Sequence, residues 1–287
     1  MVERLKIAIA KARAAREKAT GTQEPSGIQG GPGVPVPLPD VAEPDLQQLA
    51  GLSATWRELE PLEIDPRHLE RQRIIAYARQ DPAHVAFDVL RTRLLRAFQK
   101  HGWTRLGITS PDKGCGKTFV ATNLALSLSR QPDCRAALID LDMRSPDIAR
   151  VLGVRDPDPV RWFLNGDVPV TKYLRRLGGN LAVGLNSERV RDAAELLQAP
   201  QTAIALDTIR DSLSPDVIIY DLPPMLMADD VLGFLPQLDC VLLVVGGGRT
   251  RPEQVTECER LLADQTNLLG VLLNRAEGAE STRYAYE

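Results

Sequence analysis

The sequence RLGITSPDKGCGKTFVATNLALSLSR, residues 105–130, decides the fold of this protein. A short apolar run is followed by a loop with two closely spaced glycines and then by a run of helix-forming residues. Gly114 and Gly116 allow the backbone to curl so that successive N–H groups face one anion, with no side chain in the way. The stretch therefore predicts a phosphate-binding loop between a strand and a helix.

The loop fits the general pattern G-x-x-x-x-G-K-[ST], except that Pro111 stands where the first glycine is usual. Lys117 is placed to reach the β- and γ-phosphates of a nucleotide, and the Thr118 hydroxyl is placed to bind Mg²⁺. The helix that opens at Thr118 directs its positive dipole end at the same phosphates. We therefore expect ATP and Mg²⁺ as cofactors.

Short β-rich runs alternate with longer helical segments beyond this loop. Several runs are almost continuous Val, Ile and Leu, as expected of strands that are covered by helices on both faces. The alternation predicts an α/β P-loop NTPase fold, with an open, mainly parallel sheet and ligands at the carboxyl ends of its strands. The predicted strands are residues 105–109, 135–141, 180–184, 216–220, 240–245 and 268–273.

Two of these strands end in carboxylates. In ALIDLDMR, residues 137–144, strand alternation places Asp140 and Asp142 on the same side. Paired carboxylates near a buried site require a cation between them, or one of them acts as a base. VIIYDLPP, residues 217–224, places Asp221 at a strand end, the usual second Mg²⁺ anchor of P-loop enzymes. The alternative for each motif is a solvated strand end before a turn.

Composition limits the class of protein. There are 35 Lys and Arg against 38 Asp and Glu, so the chain is not a globally basic protein that coats nucleic acid. Aromatic residues make up 5%, and no stacking platform or nucleic-acid partner is predicted. No apolar run approaches the ~20 residues that span a bilayer, so we predict a cytoplasmic chain without a membrane span. The four cysteines form no CxxC pair and are expected to be reduced thiols.

The residues before the alternating pattern predict three further segments. Residues 1–20 have the spacing of an amphipathic basic helix, and the Pro- and Gly-rich residues 21–45 indicate a flexible linker. Residues 46–80 hold a few apolar anchors among charges and are interpreted as a docking arm that packs on the main domain or on a partner. The P-loop domain is predicted over 81–278, beginning with a helix that ends near Gly102, and a tail with two tyrosines follows over 279–287.

The ordered motifs SPDKGCGKTFVATNLA, ALIDLDMRSP and VIIYDLPP resemble those of the bacterial tyrosine kinases that govern capsule and exopolysaccharide assembly. The resemblance covers about two thirds of the chain, from Asp81 to Asn274. The septum-site and plasmid-partition ATPases share this fold, but their signature lysine would fall at Asp112. An acid at that position favours the kinase branch.

The resemblance implies a role for each matching residue. Lys117 would stabilise the transferring phosphoryl group, and Asp140 or Asp142 would orient or deprotonate the incoming tyrosine while the other helps to hold the metal. The catalytic set is therefore Lys117, Asp140 and Asp142, and the metal ligands are Thr118, Asp142 and Asp221. The nucleotide-binding set is Asp112, Lys113, Gly114, Cys115, Gly116, Lys117, Thr118, Phe119 and Asn274, with Asn274 at the position that contacts the base or, alternatively, acting as a strand-end cap. Arg144 would bind phosphate or pair with a neighbouring carboxylate.

The chain departs from the family pattern at its assembly motif. Family kinases carry a helix with E-x-x-R-x-x-R that mediates ring assembly, and the matching positions here are Val85, Asp88 and Arg91. Only the last residue is kept, which puts ring formation by this route in doubt. The tail keeps two tyrosines, Tyr284 and Tyr286, which we predict to be the phosphoacceptors; the alternative is a frayed terminus without a role.

These features predict an autophosphorylating protein-tyrosine kinase that regulates exopolysaccharide polymerisation and export. The resemblance implies a membrane polysaccharide co-polymerase as partner, self-association, and recruitment to the inner face of the cell membrane. Two alternatives stay open: an ATPase positioning switch like the septum-site and partition proteins, and a non-catalytic nucleotide-binding regulator of export.

Overall fold

The structure is a computed structural model that describes residues 54–75, 84–227 and 229–276. Its strands are β1 (Glu60–Pro61), β2 (Arg105–Thr109), β3 (Ala136–Asp140), β4 (Arg175–Leu177), β5 (Leu181–Gly184), β6 (Val217–Asp221), β7 (Cys240–Gly246) and β8 (Asn267–Asn274). The helices in its first half are α1 (Ala54–Glu58), α2 (Pro66–Arg71), α3 (His84–His101), α4 (Lys117–Ser129), α5 (Ile148–Leu152), α6 (Val160–Leu164) and α7 (Val170–Tyr173). Those in its second half are α8 (Ala193–Gln198), α9 (Pro200–Leu213), α10 (Asp230–Phe234), a 3₁₀ turn at Leu235–Gln237, and α11 (Pro252–Leu262).

The eight strands form one sheet in the order β1-β4-β5-β3-β6-β2-β7-β8. Neighbouring strands are parallel except β4 and β5, which are antiparallel to each other and are joined by a short turn. In register, Asp140 of β3 lies opposite Asp221 of β6, and Ile108 of β2 lies on the other side of Asp221. The carboxyl ends of β3, β6 and β2 therefore meet at one edge of the sheet, where the predicted motifs are located.

Both faces of the sheet are buried. Along β6, Ile218 and Tyr220 belong to the hydrophobic core on one face, while Val217 and Ile219 belong to the core on the other. Helix α4 is also apolar on most of its circumference, and ten of its 13 residues are buried. This arrangement explains why the central strands are continuous apolar runs with no polar alternation. The predicted α/β P-loop fold is confirmed.

All six predicted strands are present, and no boundary shifts by more than one residue. The sequence patterns missed β1 and β4, which have two and three residues and lie at one edge of the sheet. These strands include the charged residues Glu60, Arg175 and Arg176 and contain no apolar run. Edge strands as short as these are defined by their backbone pairing, so the sequence shows no pattern for them. The helix predicted to begin after 81 and end near Gly102 is described over His84–His101.

The described part of the predicted docking arm, residues 54–75, packs on the P-loop domain. The Trp56 side chain is fully buried, and its indole N–H donates a hydrogen bond of 2.7 Å to the carbonyl of Leu213 at the end of α9. Strand β1 pairs with β4, and His68 contacts the carbonyl of Arg150 at 2.9 Å. This segment thus extends the sheet and covers part of its carboxyl edge.

On α3, the residues at two positions of the assembly motif, Asp88 and Arg91, form contacts within the chain. Asp88, where the family has arginine, accepts hydrogen bonds from the Arg91 guanidinium at 3.0 Å, from the Ser127 hydroxyl at 2.9 Å and from Arg130. Partial burial alone would raise the pKa of the Asp88 carboxyl, but the hydrogen bond from Ser127 and the charges of Arg130, Arg91 and His84 lower it overall. Arg91 also donates to the carbonyl of Ser127 at 2.9 Å. The one retained arginine is therefore used in joining α3 to α4.

The predicted N-terminal helix (1–20), the linker (21–45) and the tyrosine tail (279–287) lie outside the described residues. Among the residues that are described, no helix is long and apolar enough to cross a bilayer. The four cysteines, which lie within the described ranges, are buried and unbridged, as the sequence predicted.

The buried indole of Trp56 gives a test of how the arm contributes to stability. We expect Trp56→Ala to lower the free energy of unfolding by about 3–5 kcal/mol, because the variant removes a fully buried aromatic side chain and leaves a cavity. Urea unfolding followed by circular dichroism measures this change. Trp162 is 44% exposed, so Trp162→Ala is the matched control and is expected to change stability by only about 0.5 kcal/mol. Equal effects of the two substitutions would show that the arm packs loosely.

Candidate functional site

The loop after β2 is shaped by its two glycines. Gly114 and Gly116 have φ of +75° and +92°, a conformation that L side chains adopt only with strain. Gly116 also lies directly against the amide of Asn274, whose nitrogen occupies the space a Cβ would need. A larger residue at position 116 would therefore be excluded both by the backbone conformation and by this contact.

Asn274, at the end of β8, anchors the loop to the sheet. Its side-chain amide donates a hydrogen bond of 2.9 Å to the carbonyl of Cys115. The sequence predicted this residue as a base contact or a strand-end cap. In the structure it supports the loop backbone and also lines the adjacent cavity.

Lys117, the first residue of α4, is mostly buried among carboxylates. Its ammonium group forms an ion pair with Asp142 and lies 4.0 Å from a carboxylate oxygen of Asp221. Burial alone would lower the pKa of Lys117, but the charges of Asp221 and Asp142 oppose burial and raise it overall. The side chain is therefore held as a cation at the centre of the three motifs.

Asp221 provides the clearest sign that this site accommodates a further charged group. Its side chain is fully buried, and neither carboxylate oxygen has a hydrogen-bond partner within the described part of the chain. Burial raises the pKa of Asp221 to about 6, although the nearby Lys117 opposes this rise. Buried carboxylate oxygens without partners are rare in proteins and are suited to a hard cation such as Mg²⁺, directly or through water.

Asp140 has a different environment from Asp142. Its oxygens accept hydrogen bonds from three backbone N–H groups, those of Asp142 at 3.2 Å, Asp147 at 3.1 Å and Ile148 at 3.0 Å. Burial and the neighbouring charge of Asp221 raise its pKa well above the usual range despite these bonds. Asp140 thus holds the loop between β3 and α5, while Asp142 faces the cavity.

A cavity of about 710 Å³ opens beside Lys117. Of the predicted site residues, the structure places eight in its lining: Lys113, Gly114, Gly116, Lys117, Thr118, Phe119, Asp142 and Asn274. Asp112, Cys115, Asp140 and Asp221 are not part of this lining, although Cys115 and Asp221 contact residues that are. Asp112 is exposed and accepts a hydrogen bond of 2.6 Å from the backbone N–H of Lys113. Tyr284 and Tyr286 lie outside the described residues.

Several residues that line the cavity lie outside the predicted phosphate-binding and acidic motifs. Gln72, Arg73 and Ile74 come from the arm, and Arg150 comes from α5. Arg144 also lines the cavity, and its guanidinium forms a two-bond ion pair with the fully buried Asp230, at 2.9 Å for one bond. No sequence pattern indicates the arm residues, because their position depends on how the arm folds back over the sheet.

Arg249 is a further basic residue beside the loop. It follows β7, and its guanidinium lies 3.2 Å from where a Cβ of Gly114 would be. No role is predicted for Arg249 from the sequence, because this residue stands outside the ordered motifs. In the structure it covers one side of the phosphate loop.

Among the described residues, no group of three or more His, Cys, Asp or Glu side chains converges as a complete metal site. A magnesium site of the P-loop type needs no such group, because one or two carboxylates and a hydroxyl act together with substrate phosphates and water.

Comparisons with known proteins agree with this geometry. The family model for ParA, described as the NUBPL iron-transfer P-loop NTPases, matches residues 104–255, which is more than half of the chain. A P-loop NTPase fold implies that the cavity binds a nucleotide.

Named proteins that this chain resembles include bacterial tyrosine kinases and a polysaccharide transport protein. Tyrosine-protein kinase Etk of Escherichia coli K12 is 28% identical over 208 residues, which cover 72% of this chain and 28% of Etk. The succinoglycan biosynthesis transport protein ExoP of Rhizobium meliloti is 28% identical over 182 residues, covering 61% of this chain and 22% of ExoP. The chain thus spans about a quarter of the length of these curated relatives.

The solved structure of the kinase domain of the E. coli tyrosine kinase ETK superposes with a TM-score of 0.66 at 26% identity. The match covers 84% of this chain and 97% of that domain. The predicted resemblance is confirmed over the part of the chain that holds the cavity. The chain therefore belongs to the ParA family of P-loop NTPases and, within that family, is similar to the kinase domains of the bacterial tyrosine kinases.

Proposed function

We propose that this protein is an ATP-dependent protein-tyrosine kinase that phosphorylates its own tail and acts in exopolysaccharide polymerisation and export. The observation that carries the proposal is the position of Lys117, a buried cation between Asp142 and Asp221 at the end of a cavity lined by the phosphate loop. The similarity to tyrosine kinases supports the same conclusion.

The proposed metal site uses residues that meet at the carboxyl edge of the sheet. Thr118, Asp142 and Asp221 would hold Mg²⁺, which neutralises charge on the β- and γ-phosphates when it is bound. Asp221 fits this role because its buried oxygens have no hydrogen-bond partner among the described residues, and the Lys117 ammonium lies 4.0 Å from one of them. Lys117 would bind the γ-phosphate and stabilise the charge that develops during transfer, and the backbone N–H groups of the loop would bind the remaining phosphate oxygens.

In the proposed reaction, the phenolic oxygen of a tyrosine forms a bond to the γ-phosphorus while the bond from that phosphorus to the β-phosphate oxygen breaks. ADP leaves with the electron pair of the broken bond, and the phenolic proton passes to Asp142 or to water. Asp142 is the better placed acceptor because it lines the cavity and accepts one backbone hydrogen bond, from Ser145 at 3.0 Å, whereas Asp140 lies outside the lining and accepts three. Asp140 would instead position the loop that carries Asp142.

The proposed phosphoacceptors are Tyr284 and Tyr286, which would be phosphorylated in the cavity of a second copy. The proposed partner is a membrane polysaccharide co-polymerase, which would recruit this cytoplasmic chain to the inner face of the cell membrane. The similarity to ExoP, a transport protein of succinoglycan biosynthesis, supports a place in polysaccharide export.

A second candidate is an ATPase positioning switch that hydrolyses ATP slowly and recruits cargo. The match to the ParA family model favours it. The acid at position 112 weighs against it, because the partition and septum-site ATPases are expected to carry lysine there. Release of inorganic phosphate without any labelling of protein would select this alternative over the kinase.

Replacement of Lys117 tests the kinase proposal directly. We expect Lys117→Met to reduce phosphotyrosine formation by about 100-fold or more, because methionine keeps the length of the side chain but removes the charge that stabilises the transition state. Phosphotyrosine is measured by mass spectrometry after incubation of the purified protein with ATP and Mg²⁺. Lys100→Met changes an exposed lysine at the end of α3 and is expected to retain wild-type labelling. If the wild type forms no phosphotyrosine, even with its membrane partner, the kinase proposal fails.

Replacement of Asp221 tests the proposed metal site. We expect Mg²⁺ to tighten ATP binding to the wild type about tenfold, and we expect Asp221→Asn to abolish this gain because the amide cannot supply the anionic anchor. Binding of ATP without Mg²⁺ should be unchanged or stronger in the variant, since a negative charge near the phosphates is removed. Titration calorimetry with and without Mg²⁺ measures both constants.

The exposed Asp133 gives the matched control for this substitution, and Asp133→Asn should behave as the wild type. A variant at position 221 that keeps the full effect of Mg²⁺ would show that the metal is held elsewhere.

A further inference from the structure

The wall of the cavity formed by the arm contains a residue in an unfavourable backbone conformation. Arg73 follows helix α2, has φ of +58°, and lines the cavity. Only four non-glycine residues in the described ranges have positive φ: Arg73, Asp156, Ser214 and Arg275. The two arginines of this group both line the cavity, Arg275 just after β8 and Arg73 in the arm.

The backbone at Arg73 ends a helix in a standard way. The N–H of Arg73 donates to the carbonyl of Glu70 at 2.9 Å, and the N–H of Ile74 donates to the carbonyl of Leu69, also at 2.9 Å. The Leu69 and Ile74 side chains are both buried. This is a Schellman-type helix end, in which glycine is the usual residue at the position that Arg73 occupies. An arginine here costs free energy relative to glycine, so a role for its side chain in the cavity is indicated.

Arg73 lies at the end of the cavity opposite Asn274. Its neighbour Gln72 accepts a hydrogen bond of 2.7 Å from Arg150 on α5, the helix that follows β3. The sheet order places β8, β7, β2, β6 and β3 in succession, so the cavity extends from Asn274 past the phosphate loop to the β3 side. If a nucleotide is bound on the phosphate loop with its base near Asn274, the end of the cavity at Arg73 stays free for the segment that carries the acceptor tyrosine.

The charge of Arg73 is available to a ligand. Three other basic residues of the lining are already paired: Lys117 with Asp142, Arg144 with Asp230, and Arg150 with Asp147. Arg73 is exposed, and it forms no ion pair with any residue of the described ranges. A planar guanidinium of this kind is well suited to bind a carboxylate through two parallel hydrogen bonds.

We propose that Arg73 forms an acceptor subsite that binds a carboxylate beside the acceptor tyrosine in the tail of a second copy of this chain. This inference rests on the proposed kinase function. The tail has the required chemistry, because Tyr284 and Tyr286 are accompanied by Glu277, Glu280 and Glu287. Arg73 would thereby select acidic tyrosine segments and orient them towards Lys117.

The experiment combines changes in the enzyme with changes in the peptide. The acceptor is a synthetic peptide with the sequence of residues 276–287, either unchanged or with its three glutamates replaced by glutamine. The enzyme is the full chain with Tyr284→Phe and Tyr286→Phe, so that only the peptide is labelled, with either Arg73 or Arg73→Ala. Initial rates of peptide phosphorylation give KM and kcat for peptide and for ATP.

We expect the glutamine peptide to have a KM about tenfold higher than the glutamate peptide when Arg73 is present. With Arg73→Ala, the two peptides should have the same, high KM, while the KM for ATP stays at the wild-type value. Arg73→Lys should restore part of the preference for the glutamate peptide, because the charge is kept and the two-bond geometry is lost.

Arg73→Gly separates the binding role from a structural one. Glycine removes both the guanidinium and the unfavourable side chain at positive φ, so this variant should melt about 2–4 °C higher than Arg73→Ala. Its kinetic defect should nevertheless equal that of Arg73→Ala. A variant that loses peptide selectivity without losing stability cannot be explained by unfolding of the arm.

Two results would overturn the inference while the kinase proposal stands. One is that the Arg73 variants phosphorylate both peptides with the same KM values as the parent enzyme. The other is a rise in the KM for ATP with no change for peptide, which would assign Arg73 to the nucleotide. If the parent enzyme labels neither peptide and wild type forms no phosphotyrosine, the proposed function itself fails.

Discussion

The buried ammonium group of Lys117 joins three parts of the sheet's carboxyl edge. It extends from the helix after β2 to Asp142 beyond β3 and Asp221 at the end of β6. One cation is set among three buried carboxylates, since Asp140 lies directly opposite Asp221 in the strand register. Burial and this excess of negative charge raise the pKa values of Asp140 and Asp221. A divalent cation would compensate the charge, which explains why a P-loop enzyme can maintain such a cluster.

The cavity beside this cluster is built by segments far apart in the chain. The phosphate loop and Asn274 form one end, and the arm and α5 form the other. The arm is held by the buried Trp56 and by the short strand β1, so its position depends on the hydrophobic core. Loosening of the arm would therefore displace a wall of the cavity.

The surface of α3 distinguishes this chain from the family pattern. Asp88 stands where the pattern requires arginine, and it binds Arg91 and Arg130 within the same chain. The retained Arg91 is thus engaged in joining α3 to α4.

The sequence alone determined the fold and most of the central site. Continuous apolar strands, the glycine loop and three strand-end acids in a fixed order are local patterns, and the parallel topology brings their carboxyl ends together. It did not distinguish Asp140 from Asp142, because strand alternation gives both the same side, whereas in the structure Asp140 accepts three backbone N–H bonds and Asp142 accepts one, from Ser145. It also missed β1, β4 and Arg73. Their positions follow from edge pairing and from the folding of the arm over the sheet, which are contacts between distant residues that no local pattern encodes.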